Sequence, residues 1–319
     1  MKARRYSFHG VGLEVASSND AVGAAVDDRL RHFRSQDEGD ADLRFELRVG
    51  ARHTVEPPAG DWRPVYEPPS GRVSYFPGLD VLYIEHAGAR VLCDVARGEV
   101  TCSVAAPAEV DVWLLSRPLF TLPLVELLKR RGLFSVHAAA AAVGDVAVLV
   151  PGDTGAGKST LAVAMARGGL PLLADDMVFL SHADGRLRVH GFPDEADVSD
   201  ETAAWFPELR ALIGRRPAGW PKHRVRIEDA FGAAVADVCA PGSLLFAAPS
   251  ASQHSALTPL SPDEALLALA PNVLLTAPGP AQAHLDALAA LVAESRCYRL
   301  ATGRDFDRVP RLVRELTSA

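Results

Sequence analysis

A glycine loop at residues 152–159, GDTGAGKS, is the stretch of this sequence best suited to chemistry. It matches the pattern G-x-x-x-x-G-K-[ST] at every fixed position, and it lies between an apolar predicted strand, VAVLV, and an Ala/Leu-rich predicted helix. Glycines let such a loop curl so that successive backbone N–H groups point at phosphate oxygens. The start of the following helix adds partial positive charge. The sequence therefore predicts a site for the phosphates of a nucleotide.

Two side chains in the loop have specific predicted roles. Lys158 can reach the β and γ phosphates, and the hydroxyl of Ser159 can ligate Mg²⁺. ATP and Mg²⁺ are the predicted cofactors. The predicted nucleotide contacts within the loop and the first helical turn are Gly152, Asp153, Thr154, Gly155, Ala156, Gly157, Lys158, Ser159 and Thr160.

Two adjacent carboxylates, Asp175 and Asp176, follow the apolar segment LPLLA. A phosphate loop needs an acidic residue at the end of a neighbouring strand to hold Mg²⁺. Phosphoryl transfer to a hydroxyl also needs a base within hydrogen-bonding reach. Side chains alternate along a strand, so two aspartates at the end of one strand would face different partners. The alternative is a solvated strand end that caps the next turn.

His137 precedes the loop, in a predicted hairpin whose second strand runs straight into it. A single histidine in an Ala-rich strand is commonly a core residue with a satisfied ring. The hairpin can also bring it to the mouth of the loop, where an imidazole would hydrogen-bond and orient a carboxylate. The residues alone leave both interpretations open.

The elements that must position these residues fall into two predicted domains, 1–130 and 131–319. The first is a small α+β domain with one strand in RYSFHGVGLEVAS, a helix capped by Asn19, a loop over 56–69 and an antiparallel meander over 72–106. A helix interrupted by Pro118 and Pro123 ends it. The second domain holds the hairpin, the loop and its helix, one strand LPLLADDMVFL, and later helices and strands.

Composition excludes several classes of protein. The 319 residues carry a formal charge of −7 and a pI of about 5.8, so neither nucleic acid nor an anionic membrane is an expected partner. No apolar run approaches the roughly 18 residues of a membrane helix, and no signal peptide begins the chain, so the expected location is cytoplasmic. The four widely spaced cysteines favour buried small side chains over disulfides or zinc ligands: Cys93, Cys102, Cys239 and Cys297.

The block from His137 through GDTGAGKS to RGGLPLLADD resembles the catalytic domain of HPr kinase/phosphorylase. The resemblance implies an α/β fold, with a PEP-carboxykinase/HPr-kinase-like P-loop domain that the small α+β domain precedes. It does not extend to residues 1–130; if the protein is a kinase, that domain is expected to recognise the substrate. The resemblance implies that Asp175 is the general base and that His137 is its hydrogen-bonding partner. It also implies that Ser159 and Asp176 hold Mg²⁺, and it suggests a homo-oligomer.

One family signature, E-x-R-G-x-G, has no counterpart after Asp176. The chain is more similar to divergent relatives, including kinases that phosphorylate a serine of lasso-peptide precursors. This implies a peptide or small protein as the hydroxyl-bearing substrate. In such relatives a basic segment contributes to phosphate binding, and Lys222 in PKHRVRI is the candidate here. Further candidates are Arg224, Arg226 and, more weakly, Arg304. An ordinary exposed basic strand is the alternative.

Two other functions stay open from the sequence. A non-catalytic ATP sensor or accessory protein would bind nucleotide without transferring phosphate, and a small-molecule kinase or carboxykinase-like enzyme would use the same fold. An ABC-type ATPase is excluded because no LSGGQ-like segment follows the loop.

Overall fold

A computed structural model describes residues 1–37, 39–50, 52–67, 71–105, 111–213, 221–273, 275–276 and 278–318. The chain forms two compact units: Met1–Arg131 with Leu275–Ala281, and Gly132–Leu274 with Gln282–Ala319. Leu275–Ala281 joins the first unit although it lies far beyond the predicted boundary at residue 130. Among the described residues, no helix combines the length and the apolar character that a membrane crossing requires.

The first unit is one large sheet with helices. Its strands are β1 (Lys2–Phe8), β2 (Val11–Ser17), β3 (Leu43–Gly50), β4 (Arg63–Tyr66), β5 (Gly71–Phe76), β6 (Val81–His86), β7 (Ala89–Asp94) and β8 (Glu99–Ala105). They lie in the order β1-β2-β3-β8-β7-β6-β5-β4. The pairs β2–β3 and β3–β8 are parallel and the others antiparallel. The helices are α1 (Asp20–Arg29), α2 (Val112–Ser116) and α3 (Pro118–Lys129).

Alternation along the strands places apolar side chains on one face of this sheet. Leu43, Phe45 and Leu47 of β3 are buried, and α3 packs on them, with the rings of Phe45 and Phe120 4.7 Å apart. Two expectations are confirmed: the side chain of Asn19 caps α1, and β5 to β8 form an antiparallel meander.

Three expectations for the first unit are wrong in detail. The single strand RYSFHGVGLEVAS is a hairpin, because His9 and Gly10 both take positive φ and turn the chain between β1 and β2. The predicted loop over 56–69 contains β4, paired with β5. The predicted helix with Pro118 and Pro123 is two helices, because α2 ends at Ser116 and Pro118 begins α3.

The second unit contains another large sheet and, separate from it, a sheet of two short strands, β14 and β15 in the numbering that follows. Its strands are β9 (Phe134–Val143), β10 (Val146–Pro151), β11 (Leu172–Ala174), β12 (Met177–Ala183), β13 (Arg186–His190), β14 (Ala196–Val198), β15 (His223–Val225), β16 (Val238–Pro249), β17 (Ala256–Pro259) and β18 (Arg296–Thr302). Its helices are α4 (Lys158–Arg167), α5 (Asp200–Trp205), α6 (Ile227–Phe231), α7 (Pro262–Leu269), α8 (Pro278–Ala293), which begins within Leu275–Ala281, and α9 (Val309–Ser318).

β10 lies in the middle of this sheet, antiparallel to β9 and parallel to β16, which in turn runs parallel to β18. Ala147, Val148 and Leu149 of β10 have no exposed surface. Helix α4 is buried from Leu161 through Ala166. The predicted hairpin, buried strand and following helix are therefore confirmed as β9, β10 and α4, and a rigid strand and a rigid helix hold the two ends of the glycine loop.

The predicted strand LPLLADDMVFL is two strands. β11 pairs with β9 around Ala140 and Ala141, whereas β12 pairs with β9 from His137 to Phe134, and the chain bends between them. Asp175 and Asp176 occupy that bend. The argument from side-chain alternation along one strand was therefore wrong, although the two carboxylates do face different partners. Helix α5 ends at Trp205, before a 3-10 turn that begins at Pro207.

Candidate functional site

The glycine loop leaves β10 after Pro151 and enters α4 at Lys158. Gly152, Gly155 and Gly157 take φ values of 151°, 91° and 92°, which favour glycine. A Cβ atom on Gly152 would also lie 3.0 Å from that of Ala156. The loop therefore needs glycine at these points for steric reasons, and its curled backbone is of the kind that presents N–H groups to an anion.

Lys158 folds back over the loop it follows. Its Nζ donates to the carbonyl oxygens of Gly152 at 2.6 Å and of Asp153 at 3.1 Å, and the residue is only 8% exposed. Burial lowers the pKa of Lys158, while the charges of Asp176 and Asp175 oppose this effect. An ammonium held by carbonyls at this point can exchange them for phosphate oxygens.

Asp175 is buried beside the first turn of α4. The hydroxyl of Ser159 donates to its Oδ2 at 3.0 Å, and the residue is 6% exposed. Its Oδ1 is buried without a hydrogen-bond partner among the described residues. Burial, and next the charge of Asp176, raise the pKa of Asp175 to about 7. A buried carboxylate oxygen without a partner costs free energy, so this atom is suited to receive a cation or a proton.

Asp176 lies on the open side of the bend, with a side chain that is 62% exposed. The Nδ1 atom of His137 is 2.9 Å from the backbone oxygen of Asp176 and 3.3 Å from its Oδ1. Because a carbonyl oxygen can only accept, Nδ1 carries the proton in the neutral ring and Nε2 retains a lone pair. The cross-strand pairing of His137 with Met177 sets this contact.

These contacts reverse the pairing implied by the resemblance. His137 was expected beside Asp175, and Ser159 beside Asp176. The structure places His137 against Asp176 and Ser159 against Asp175. The physical reason is the bend between β11 and β12, which turns Asp175 inward to α4 and Asp176 outward to β9.

Mg²⁺ fits the inner side of this bend. The ion prefers hard oxygen ligands and usually takes one or two protein ligands together with phosphate and water oxygens. The hydroxyl of Ser159 and the unpartnered Oδ1 of Asp175 supply such ligands at neighbouring positions. Asp176, also expected as a metal ligand, has its Oδ1 3.3 Å from Nδ1 of His137, and its charge opposes the lowering of the Lys158 pKa by burial more than that of Asp175 does. In the part of the chain that the structure describes, no group of three or more His, Cys, Asp or Glu side chains gathers as a metal cluster.

The remaining residues that were predicted to contact the nucleotide lie in different surroundings. Lys222 is close enough to the loop for its charge to lower the pKa of Lys158, although burial is the larger cause. Arg224 instead lies 3.4 Å from Glu195. The hydroxyl of Thr160 is buried against that of Thr202 in α5, at 2.8 Å. Two further arginines lie in other settings: Arg226 precedes α6, and Arg304 follows β18 and donates its backbone N–H to Gln253.

Sequence reasoning missed Asn272, which lies 120 residues after Gly152, the first residue of the loop. Its Oδ1 accepts a hydrogen bond from the backbone N–H of Gly152 at 3.0 Å. Asp197 was also missed, and its charge helps to raise the pKa of Asp175, after burial and Asp176. Neither residue has a spacing from the loop that a sequence pattern could detect, because the fold alone brings them there.

No family model matches this chain, and no curated protein matches it by sequence. Among solved structures, the HPr(Ser) kinase/phosphatase from Coxiella burnetii is similar over 58% of this chain and 93% of its own length, at 12% identity and a TM-score of 0.32. The likeness is weak.

Proposed function

We propose that this protein is a Mg-ATP-dependent kinase that transfers the γ-phosphate of ATP to a Ser or Thr hydroxyl of a peptide or small protein. One observation carries the proposal: a buried carboxylate hydrogen-bonded to Ser159 and an exposed carboxylate 3.3 Å from Nδ1 of His137 belong to adjacent residues, and the charges of both act on Lys158 of the glycine loop. Phosphoryl transfer to a hydroxyl needs a base within reach of that hydroxyl, whereas nucleotide binding alone does not.

The inner residues would hold the nucleotide. Lys158 would release the carbonyls of Gly152 and Asp153 and bind the β and γ phosphates. Ser159 and Asp175 would hold Mg²⁺. When bound, the ion neutralises charge that develops on the phosphate oxygens. A cation next to Asp175 would also keep that carboxylate ionised, although burial raises its pKa.

The outer residues would handle the acceptor. The hydroxyl oxygen of the acceptor attacks the γ-phosphorus, the bond to the β–γ bridging oxygen breaks, and ADP leaves with that oxygen. The hydroxyl proton passes to Asp176, whose exposed carboxylate a hydroxyl on a larger molecule can reach. His137 would orient Asp176. This assigns the base to Asp176 instead of Asp175, because Asp175 is buried and bonded to Ser159.

The test is incubation with γ-labelled ATP, Mg²⁺ and the peptides encoded beside the gene, with products mapped by mass spectrometry. We expect label on a Ser or Thr side chain. Asp176→Asn should lower transfer at least ~100-fold, the usual contribution of a positioned base, and leave ATP affinity nearly unchanged.

Asp175→Asn is the matched variant at the neighbouring position. It should weaken Mg²⁺-dependent ATP binding on the order of tenfold, since a charged ligand becomes neutral. Retained transfer in Asp176→Asn together with lost transfer and intact Mg-ATP binding in Asp175→Asn would return the base role to Asp175. ATP binding without any labelled product, with peptides or small alcohols, would contradict the kinase proposal.

A further inference from the structure

At the start of the glycine loop, the backbone N–H and the backbone carbonyl of Gly152 are both hydrogen-bonded. The N–H of Gly152 donates to Oδ1 of Asn272, and its carbonyl oxygen accepts from Nζ of Lys158. The contact with Lys158 must break when that side chain turns to phosphate. The contact with Asn272 involves no group that ATP would use, so it can persist in the nucleotide-bound state.

The side chain of Asn272 is fixed in one orientation. Its Nδ2 donates to the carbonyl oxygens of Ala268 at 3.1 Å and Leu269 at 3.3 Å, in the last turn of α7, and the residue is 6% exposed. A reversed amide would set its NH₂ group against the N–H of Gly152 and its oxygen against two carbonyls. Only the observed orientation satisfies all three neighbours, so the acceptor for Gly152 is preorganised.

We infer that Asn272 is a positioning residue that fixes the entry of the glycine loop, so that the remaining loop N–H groups stay aimed at phosphate when Lys158 leaves. The inference rests on the proposed function for its ligand. Gly152 has a φ of 151°, a conformation open to few other residues, and glycine loses the most conformational freedom on ordering. The hydrogen bond from Asn272 orders Gly152 before ATP arrives, so the entropic cost of ordering this glycine is not paid when ATP binds.

The choice of an amide at residue 272 follows from charge as well as geometry. An aspartate would also accept from Gly152, but its second oxygen would face the carbonyls of Ala268 and Leu269. It would also place a negative charge within one hydrogen bond of a loop that has to bind phosphates. Asparagine supplies the acceptor without the charge.

ATP affinity measured by calorimetry on the whole chain tests this inference. Asn272→Ala should weaken ATP binding about tenfold, the effect of about one hydrogen bond, and Asn272→Asp should weaken it too. Ser261→Ala is the matched control, since Ser261 caps the start of α7 and does not touch the loop. It should lower the Tm through the same helix while leaving ATP affinity unchanged. Unchanged affinity in Asn272→Ala, or an equal loss in Ser261→Ala, would overturn the inference.

Hydrogen exchange of the wild-type protein decides the matter without a variant, should Asn272→Ala fail to fold. The Gly152 amide should exchange slowly without ATP and show no further protection with it, whereas the amides of 154–158 should gain protection. A Gly152 amide that exchanges rapidly until ATP binds would overturn the inference. If the wild type binds no ATP, the proposed function fails, and the exchange of Gly152 in the absence of ATP still reports on Asn272.

Discussion

At the scale of single residues, the site is divided by one bend in the chain. Asp175 and Asp176 are neighbours in sequence, yet one is 6% exposed and bonded to Ser159, and the other has a 62% exposed side chain beside His137. Burial raises the pKa of Asp175, whereas the carboxylate of Asp176 is accessible to other molecules.

The raised pKa of Asp175 predicts a pH dependence of stability. Its pKa rises from 3.8 to about 7 on folding, so between these values the folded state binds more protons than the unfolded state. The free energy of unfolding should therefore fall as pH rises through this window and level off above it. Thermal melts in EDTA from pH 4 to 8 should show this slope in the wild type relative to Asp175→Asn. A slope of equal size in Asp175→Asn would show that other groups cause it.

The role of His137 can be tested by comparing a side chain that replaces only its Nδ1 atom with one that replaces neither ring nitrogen. The amide nitrogen of Asn can stand in for Nδ1 and donate to Asp176, whereas Ala cannot. If His137 acts only by orienting Asp176, His137→Asn should retain several-fold more of the transfer rate than His137→Ala. Equal loss in both variants, with ATP affinity intact, would instead assign proton transfer to Nε2.

At the scale of secondary-structure elements, the loop depends on how α4 is held at its far end. Gly168 follows α4, and a Cβ atom there would lie 2.2 Å from Cγ of Pro310 in α9. Arg314 of α9 also donates to the carbonyl oxygen of Gly168 at 2.6 Å. The close approach of these two helices therefore requires glycine.

Gly168→Ala should destabilise the protein by about 1–3 kcal/mol, the usual cost of overpacking, in denaturant unfolding. Pro310→Ala removes Cγ, which would lie 2.2 Å from the added Cβ atom, but keeps the Cβ of residue 310, at 2.3 Å, so the double variant should recover only part of the loss. If the two substitutions simply add, the clash is not the cause.

The sequence was sufficient to predict the elements whose side chains repeat with a clear period. The hairpin of β9 and β10, helix α4 and the meander of β5 to β8 were predicted correctly because apolar residues mark their buried faces. It was not sufficient for β17, whose four residues include no buried one, or for the three-residue strand β14. The strand β15 lies within the segment KHRVRI, which was predicted to be a strand. Likewise the loop residues were evident, whereas the contacts of Asp175, Asp176 and Asn272 depend on a bend and a distant turn that leave no local pattern.

At the scale of the whole molecule, the first unit is built from two separate stretches of chain. Thr276 donates its hydroxyl to Oε2 of Glu126 at 2.6 Å, across 150 residues of sequence. Lys129 donates to the same oxygen at 2.9 Å, and the side chains of Glu126 and Lys129 have no exposed surface. A buried carboxylate of this kind needs every partner that it has.

Thr276→Val keeps the shape of the side chain and removes the hydroxyl. It should lower the free energy of unfolding by about 1–3 kcal/mol, because a buried charged acceptor loses a hydrogen bond. Thr276→Ser, which keeps the hydroxyl, is the control and should lose less. The two variants are compared by denaturant unfolding, and a loss in Thr276→Val no larger than that in Thr276→Ser would contradict the role of the hydroxyl.

The position of Leu275–Ala281 also orders events during synthesis. Domains generally fold from the N-terminus as the chain emerges from the ribosome. Here Met1–Arg131 emerges first but lacks its last segment until residues 132–274 have followed. Glu126 therefore lacks its hydrogen bond from the hydroxyl of Thr276 while the glycine loop and most of the second unit are being synthesised. The unit that begins the chain is among the last parts of the protein to be completed.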